Sequence, residues 1–418
     1  MTEQPDPSFA RNIRLIYRWQ ALTNVSLWMP IWIVFLEHDR HLTLTEIYVI
    51  AGAGWIVQAV SDVPLGVFAD TFGRRVTLIS GTVLLAIGLG SLAVLPGFWG
   101  VATGYLFWAI GTAMASGTET ALLYDSAVKA GREAEWPRIA SHSFQVIQGA
   151  QAVGSIAGGL LAAINLALPM AATAVLTGIA LFFVGATREV PIEHEERRGY
   201  AATLAFAGRY LAAHPPVLSI VGYAALISGT AFFVPFVLFQ PTAQSFAVSV
   251  GWLGVLFFGL RLSALLGSRY GYLIISERRL GFWLTSTPIA ISALFVGVAS
   301  SRSWWTAYLA MLLIAAVSAG VRPHTSDVLN RMVVAKIRAT ILSFQNLVMT
   351  VFIAVMHPAV GGITDLSGLR WAFVLLAGLS LLPLLARPFI PLHTSQKPAD
   401  TQEDEMTPEA RQHSSVES

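Results

Sequence analysis

The chain has 418 residues, of which 55% are hydrophobic and 12% are charged, and its mean hydropathy is +0.64. Because a soluble domain carries about 25% charged residues, this composition indicates a membrane protein and excludes a large soluble catalytic domain. The net charge of +2 comes from scattered basic residues, so nothing indicates nucleic-acid binding. The chain has no cysteine, which excludes disulfides and thiolate metal sites.

Long apolar runs bounded by glycine, proline or charge predict an all-α membrane protein with twelve spans, since about 20 apolar residues cross a bilayer. The first six predicted spans are residues 15–37, 44–69, 75–96, 100–126, 139–163 and 169–187. The other six are residues 216–239, 249–272, 280–299, 303–328, 339–362 and 369–388. The longest interruption separates the two sets and ends in an amphipathic stretch that we expect to lie on the membrane surface.

These runs predict five regions along the chain. They are a cytoplasmic N-terminal segment (1–14), an N-terminal six-helix bundle (15–187), a cytoplasmic linker with an amphipathic helix (188–215), a C-terminal six-helix bundle (216–388) and a disordered cytoplasmic tail (389–418). The tail is rich in Asp, Glu, Ser, Thr and Gln and has little to bury.

Basic residues predict the orientation, because Lys and Arg accumulate on the cytoplasmic side of a membrane protein. With the N-terminus inside, only Arg40, Arg302 and Arg370 among the basic residues that flank the spans fall on the external side. We therefore expect a multi-pass protein of the plasma (inner) membrane with both termini cytoplasmic.

The predicted second cytoplasmic turn carries a recognisable motif. Residues 66–75 read Gly-Val-Phe-Ala-Asp-Thr-Phe-Gly-Arg-Arg, with Gly66, Asp70, Gly73, Arg74 and Arg75 at its defining positions. A small residue at 66 favours close helix approach, the carboxylate can face a helix N-terminus, and the second glycine turns the chain. This loop resembles the G-x-x-x-D-x-x-G-R-[RK] loop of the major facilitator superfamily, and the resemblance extends over roughly residues 13–389.

Two further stretches are similar to bacterial members of that family: residues 116–125, which end in Asp125, and residues 338–343. The resemblance implies that Asp125 joins Arg74 in a latch between helical bundles. An ordinary solvated helix end is the alternative for this carboxylate. The resemblance also implies a transporter that rocks two six-helix bundles around a midplane site.

Two departures from the family bear on function. Many proton-coupled members carry an arginine in the fourth span, but residues 107–117 contain no basic residue. Drug antiporters typically show Gly-Pro-x-x-Gly-Gly in the fifth span, where this chain has Ser155 in place of the proline. The glycines for close packing remain, and antiport is not established.

Four ionisable residues lie deep in predicted spans, where a charge costs at least about 2.5 kcal/mol and indicates a functional site. They are Asp62, Glu119, Arg261 and Arg322. Each precedes a charged residue at a cytoplasmic helix end by six to nine residues, about 9 to 14 Å along a helix, so all four share roughly one depth. The acids lie in the first half and the arginines in its counterpart spans.

We predict a cavity with acids on one wall and arginines on the other. The family resemblance implies a cavity lined by spans one, four, seven and ten, which favours Glu119 and Arg322 at its centre and leaves Asp62 and Arg261 along the interface between the halves. Structural alternatives stay open: Asp62 precedes Pro64 and can cap a kinked helix, and Arg322 precedes Pro323 and can bind freed carbonyls. Glu119 can bond within its Ser and Thr neighbours, whereas Arg261 has the fewest polar neighbours in sequence.

Other polar residues could line the path. Asn24 belongs to an unusually polar inner half of the first span, and Gln148 is the middle of three glutamines that recur every third residue of the fifth. Helix packing is the alternative for the glutamines.

The sequence thus predicts a secondary transporter of a small solute, not an enzyme, with no cofactor and no nucleic-acid partner. We expect a monomer in the bilayer that exports an amphipathic or aromatic compound, coupled to protons. A carboxylate-bearing metabolite as cargo, or a non-transporting receptor on the same fold, are the alternatives.

Overall fold

The computed structural model describes residues 6–190, 200–274 and 279–390, and these residues form helices and no strand. The first eight helices are α1 (Ala10–Thr23), α2 (Trp32–His38), α3 (Leu44–Phe72), α4 (Arg74–Val94), α5 (Gly97–Ala115), α6 (Thr118–Lys129), α7 (Trp136–Ile164) and α8 (Leu168–Gly185). The next nine are α9 (Tyr200–Ala213), α10 (Pro215–Phe233), α11 (Phe239–Ser245), α12 (Val250–Ile274), α13 (Leu280–Ser300), α14 (Trp304–Met332), α15 (Ala335–Ser367), α16 (Leu369–Leu379) and α17 (Pro383–Ala386). Short 3₁₀ turns cover Pro7–Phe9, Glu133–Glu135 and Arg387–Phe389.

Ten stretches of the described residues are long and apolar enough to cross a membrane. The first and fourth predicted spans are not among these ten, and the structure divides both of them. The fourth predicted span is divided at Gly117, whose φ of +74° separates α5 from α6. Glycine tolerates this backbone conformation, which other residues rarely adopt.

The first predicted span is also divided, which corrects the expectation of one helix over 15–37. Helix α1 ends at Thr23, α2 begins at Trp32, and residues 24–31 between them form turns with Ser26 at a φ of +39°. We name residues 24–31 the unwound segment. Its sequence contains Asn24, Ser26 and Pro30, which are residues typical of turns.

The seventh predicted span changes its winding. Helix α10 passes at Phe233 into a π-helical turn, Val234–Leu238, and α11 then continues to Ser245. Pro235 lies inside this turn and lacks a backbone donor, which fits a local change in winding. The first and seventh predicted spans are thus both irregular.

The helices pack into a compact array in which α3 runs against α15 and α7 runs against α12. The α7–α12 contact is close because a Cβ on Gly254 would lie 2.2 Å from the carbonyl oxygen of Ser155. Only a glycine permits this approach of two backbones.

The largest core cluster extends along most of the array, from Trp32 and Tyr48 to Val328 and Val333. We call the end of the array that carries Trp32, Tyr48, Phe233 and Phe239 the Trp32 end. At the opposite end, which carries Arg74 and is called the Arg74 end, a smaller core joins α1, α4, α6 and α8.

Part of the predicted linker lies within the described residues. The amphipathic stretch forms a helix, α9, which contacts α10 and α15. Linker residues 191–199 and residues 391–418 of the predicted tail lie outside the described residues, as do residues 1–5. The five predicted regions stay predictions.

Candidate functional site

The unwound segment lies against two glycines of α7. A Cβ on Gly154 would lie 1.4 Å from the carbonyl oxygen of Val25, and a Cβ on Gly158 would lie 1.9 Å from that of Leu27. Side chains at these positions would overlap the backbone, so only glycine lets the unwound segment pack directly against α7.

A buried amide from the other irregular span binds the backbone of this region. The Gln240 side chain, 1% exposed, accepts hydrogen bonds from the backbone N–H of Ile33 at 2.9 Å and of Val34 at 3.4 Å. Its Nε2 donates to the Met29 carbonyl at 3.1 Å. Gln240 thereby caps α2, since the first N–H groups of a helix have no partner within the helix.

Three further bonds close the Trp32 end around this amide. Trp32 Nε1 donates to the Phe236 carbonyl at 3.2 Å, and the buried Tyr48 hydroxyl donates to the Val237 carbonyl at 2.7 Å. Each accepting carbonyl belongs to the π-helical turn. The Thr45 backbone N–H donates to Asp365 at 2.7 Å, which joins α3 to α15. The bonds of Trp32 and Tyr48 thus end on backbone carbonyls of the π-helical turn, where the change in winding frees carbonyls for partners outside the helix.

Arg261 lies at the interface of α7 and α12. Its Nη2 donates to the side-chain oxygens of Gln148, at 3.5 Å, and of Gln151, so the structure brings two of the predicted pathway residues together. A small cavity beside the guanidinium is lined by Ser26, Met29, Gln151, Ser155, Phe257 and Arg261. This cavity joins α7, α12 and the unwound segment.

Glu119 lies near the start of α6 and is partly buried. Gln20 Nε2 donates to its Oε2 at 3.4 Å, and Ser143 donates to Gln20 Oε1 at 2.9 Å. The carboxyl group therefore ends a polar chain that crosses from α7 through α1. This series of hydrogen bonds was not predicted, because Gln20, Glu119 and Ser143 are far apart in sequence.

The predicted central pair is not joined. Arg322 is exposed, and within the described residues its side chain makes no hydrogen bond or ion pair, with Glu119 or with any other group. Asp62 is likewise exposed and has no bonded partner in this part of the chain. Asn24 bonds locally, donating to the Gln20 carbonyl at 3.0 Å.

At the Arg74 end, Arg74 forms an ion pair with Asp125, so α4 is tied to α6 as the motif resemblance implies. Glu189 joins the cluster and was not predicted. Its carboxylate accepts from the backbone N–H of Arg74 at 2.9 Å and of Arg75 at 3.0 Å, at the N-terminus of α4. An acid there is stabilised by the helix dipole.

Gly73 and Arg75 of the loop motif make contacts that hold the start of α4. Gly73 has a φ of +95°, and a Cβ on it would lie 2.7 Å from the Glu189 carboxylate, so this glycine both turns the chain and admits the acid. Arg75 Nη2 donates to the Gly185 carbonyl at 2.6 Å, which ties α4 to α8.

The other two motif residues, Gly66 and Asp70, do not make the contacts that the sequence predicted in the described part of the chain. The expected close helix approach at Gly66 is wrong for this structure, since a Cβ there would meet nothing within 4 Å. Asp70 makes no hydrogen bond or ion pair among the described residues, and Glu189 occupies the helix N-terminus beside it. Its predicted place in the latch stays a prediction.

Comparison with known proteins agrees with this geometry. The model of the Major Facilitator Superfamily matches residues 18–351, which is most of the chain. The chain belongs to this superfamily. It has the fold of the family's transporters and the character of a membrane protein. No curated protein sequence matches it significantly.

Solved structures of several superfamily transporters resemble the chain at low sequence identity. A mutant of the nucleoside transporter NupG has a TM-score of 0.74 and 14% identity, with 91% of this chain and 98% of that chain covered. A bacterial homologue of the human lysosomal transporter Spinster, described as inward-facing and unoccupied, has a TM-score of 0.70 and 12% identity over 94% and 100% of the chains. A D-xylose–proton symporter has a TM-score of 0.68 and 13% identity over 93% and 98%. At these identities the likeness shows the fold alone.

Proposed function

We propose that this superfamily member is a secondary transporter with twelve crossings in two six-helix bundles, which carries a small solute across the plasma (inner) membrane by alternating access. Both termini lie in the cytoplasm, the protein works as a monomer, and it catalyses no chemical reaction. The observation that carries the proposal is the pair of irregular helices, the unwound segment and the π-helical turn, joined by Gln240 beside a polar cavity. Transporters build midplane sites from such discontinuous helices.

The described contacts favour an inward-facing state. Bonds of Trp32, Tyr48 and Gln240 close the Trp32 end, whereas Asp62 and Arg322 are exposed toward the Arg74 end. With the basic Arg74 end in the cytoplasm, this places the open side inward. Transport then requires the Trp32 end to separate and the Arg74 end to close.

Glu119 is the proposed proton site. Of the four ionisable residues singled out in the predicted spans, the arginines stay charged at any accessible pH, so only the carboxylates of Asp62 and Glu119 can carry a coupling proton. Glu119 is partly buried and is hydrogen-bonded through Gln20 to α1 and α7. A change in its charge can therefore alter the contacts between these helices.

Glu119→Gln should abolish solute-driven proton movement, because the amide cannot release a proton. The measurement uses liposomes that contain a pH-sensitive dye, with a panel of lipophilic cations, organic acids and sugars. Solute exchange without net proton movement should survive in this variant, and Glu135→Gln, which changes a partly exposed acid paired with Arg132, should behave as wild type. Persisting proton movement in Glu119→Gln contradicts the proton site, and silence of folded wild-type protein across the panel contradicts proton-coupled transport of these solute classes.

The proposed cargo is a small amphipathic or aromatic compound that is exported. Aromatic rings adjoin the unwound segment: Trp28 lies 5.7 Å from Trp108 and 6.4 Å from Trp32, and Tyr105 lies 5.1 Å from Trp108, between ring centroids. Trp28, Trp32 and Tyr105 are buried in this conformation, and they offer stacking surfaces to a ligand once the site opens. A carboxylate-bearing metabolite is the second candidate, favoured by Arg261, whose hydrogen-bond partners are amides rather than carboxylates.

Asp70→Asn should change the transport rate with little change in substrate affinity, because the latch controls the exchange between conformations and lies away from the cavity. The same holds for Asp125→Asn, which removes the partner of Arg74. Initial rates and concentration dependence of uptake into liposomes separate the two quantities. A large loss of affinity at an unchanged maximal rate would mean that the loop belongs to the binding site.

A further inference from the structure

The cavity beside Arg261 contains a positive charge with no counter-charge. Within residues 6–190, 200–274 and 279–390, no carboxylate lies within ion-pair distance of the Arg261 guanidinium, and its hydrogen bonds go to the neutral side chains of Gln148 and Gln151. The guanidinium cannot lose its proton at any accessible pH. A charge that is partly removed from water without a counter-ion is costly, so the site favours an anion.

The amides hold the guanidinium by one nitrogen. Both bonds use Nη2, whereas Nε and Nη1 donate to no described group. A guanidinium presents its donors in a planar fork that matches the two oxygens of a carboxylate. Gln148 and Gln151 thus fix the plane of the group and leave donors for a ligand.

The wall beside the guanidinium is apolar and aromatic. The Phe257 ring centroid lies 5.9 Å from Arg261 Cζ, and it lies 6.0 Å from Phe236 and 6.2 Å from Phe239. Met29 of the unwound segment lines the same cavity. A ligand with its charge on Arg261 therefore has rings and a thioether beside its body.

We propose that this cavity binds a small aromatic or amphipathic monoanion, with the carboxylate on Arg261 and the ring against Phe257. This inference rests on the proposed transport function and names its substrate class. It also explains why α7, α12 and the unwound segment meet here: an anion at this point contacts helices from both halves of the chain. Its binding can then bias the movement of one half against the other.

The test compares three ligands that share one ring and differ in charge: benzoate, benzamide and benzylammonium. Their affinities for purified protein are measured by quenching of tryptophan fluorescence, which requires no transport. Benzoate should bind most tightly of the three ligands. Arg261→Gln should lower the benzoate affinity by at least about 30-fold, because removing one partner of a buried charge pair typically lowers affinity by that factor or more. Arg261→Lys should recover part of the affinity, since lysine keeps the charge without the fork.

The matched control is Arg269→Gln, an exposed arginine two turns further along α12, which should leave benzoate affinity unchanged. Size-exclusion profiles and thermal unfolding establish that each variant is folded. Equal binding of benzoate and benzamide, unchanged benzoate affinity in Arg261→Gln, or no benzoate binding by the wild type overturns the inference. If such a result accompanies solute flux in liposomes, the transport function stands and only the substrate class falls.

Discussion

Gly154→Val should unfold the protein at a markedly lower temperature than wild type. A Cβ at this position would lie 1.4 Å from the Val25 carbonyl oxygen, and backbone cannot give way as a flexible side chain does. Overpacking a well-packed site typically costs about 1–3 kcal/mol, and a direct overlap with backbone belongs at or above the upper limit. Thermal unfolding of purified protein in detergent measures the loss.

Gly149→Ala on the same helix is the matched control, because a Cβ there meets nothing within 4 Å. Alanine has the higher helix propensity by about 1 kcal/mol, so this variant should be as stable as wild type or slightly more stable. Equal stability of Gly154→Val and wild type would show that the unwound segment does not lie against α7.

Gln240→Leu should destabilise the closed Trp32 end. The substitution removes the partners of the Ile33 and Val34 N–H groups and of the Met29 carbonyl, all in a buried region. A buried backbone group that loses its partner costs about 1–3 kcal/mol. Water reaches these groups once the Trp32 end separates, so the variant should favour the outward-open conformation.

The change is measured as increased labelling of the Trp32 end by a membrane-impermeant reagent, in an Ala51→Cys background, which keeps the sealing bonds of Trp32, Tyr48 and Gln240. Ala51 is 1% exposed in the closed structure, and the natural chain offers no competing thiol. Gln244→Leu is the control, because the amide of Gln244 binds only the Val248 carbonyl of the following turn among the described residues. Labelling at the wild-type rate in Gln240→Leu would contradict the capping role of this amide.

Most helices follow directly from hydropathy, because an apolar run long enough to cross a bilayer has few other structures open to it. The interruption at residues 24–31 does not follow, since Leu27, Trp28 and Ile31 keep the local hydropathy high. The signal was present in Asn24, Ser26 and Pro30, which are turn residues inside an apolar run. Their meaning depends on Gly154 and Gly158, which lie more than 120 residues away.

The candidate site was predictable where local motifs carry it. The resemblance to the superfamily loop implied the Arg74–Asp125 pair, and the structure contains this ion pair, between two helices of the first half. Its part in a latch between the halves stays a prediction. Gln240 and Glu189 were missed because a single polar residue carries no periodic signal. Each bonds to backbone more than 100 positions away, Gln240 in the first span and Glu189 at the start of α4.

Alternating access requires the two halves of the chain to rock against each other. Distances between the halves, measured at each end of the molecule, test this movement most directly. Because the chain has no cysteine, spin labels attach only at introduced pairs. Phe72 and Tyr270 suit the Arg74 end, and Trp99 and Trp305 suit the Trp32 end, since all four are exposed. Distances are measured in bilayers at acidic and alkaline pH, in the wild-type background and with Gln240→Leu.

Each pair should show two distance populations, and the two pairs should respond in opposite directions. A condition that lengthens the 99–305 distance should shorten the 72–270 distance, and Gln240→Leu should enrich the population with the Trp32 end open. A single population at both ends under every condition, or distances that rise and fall together, would contradict alternating access in this protein.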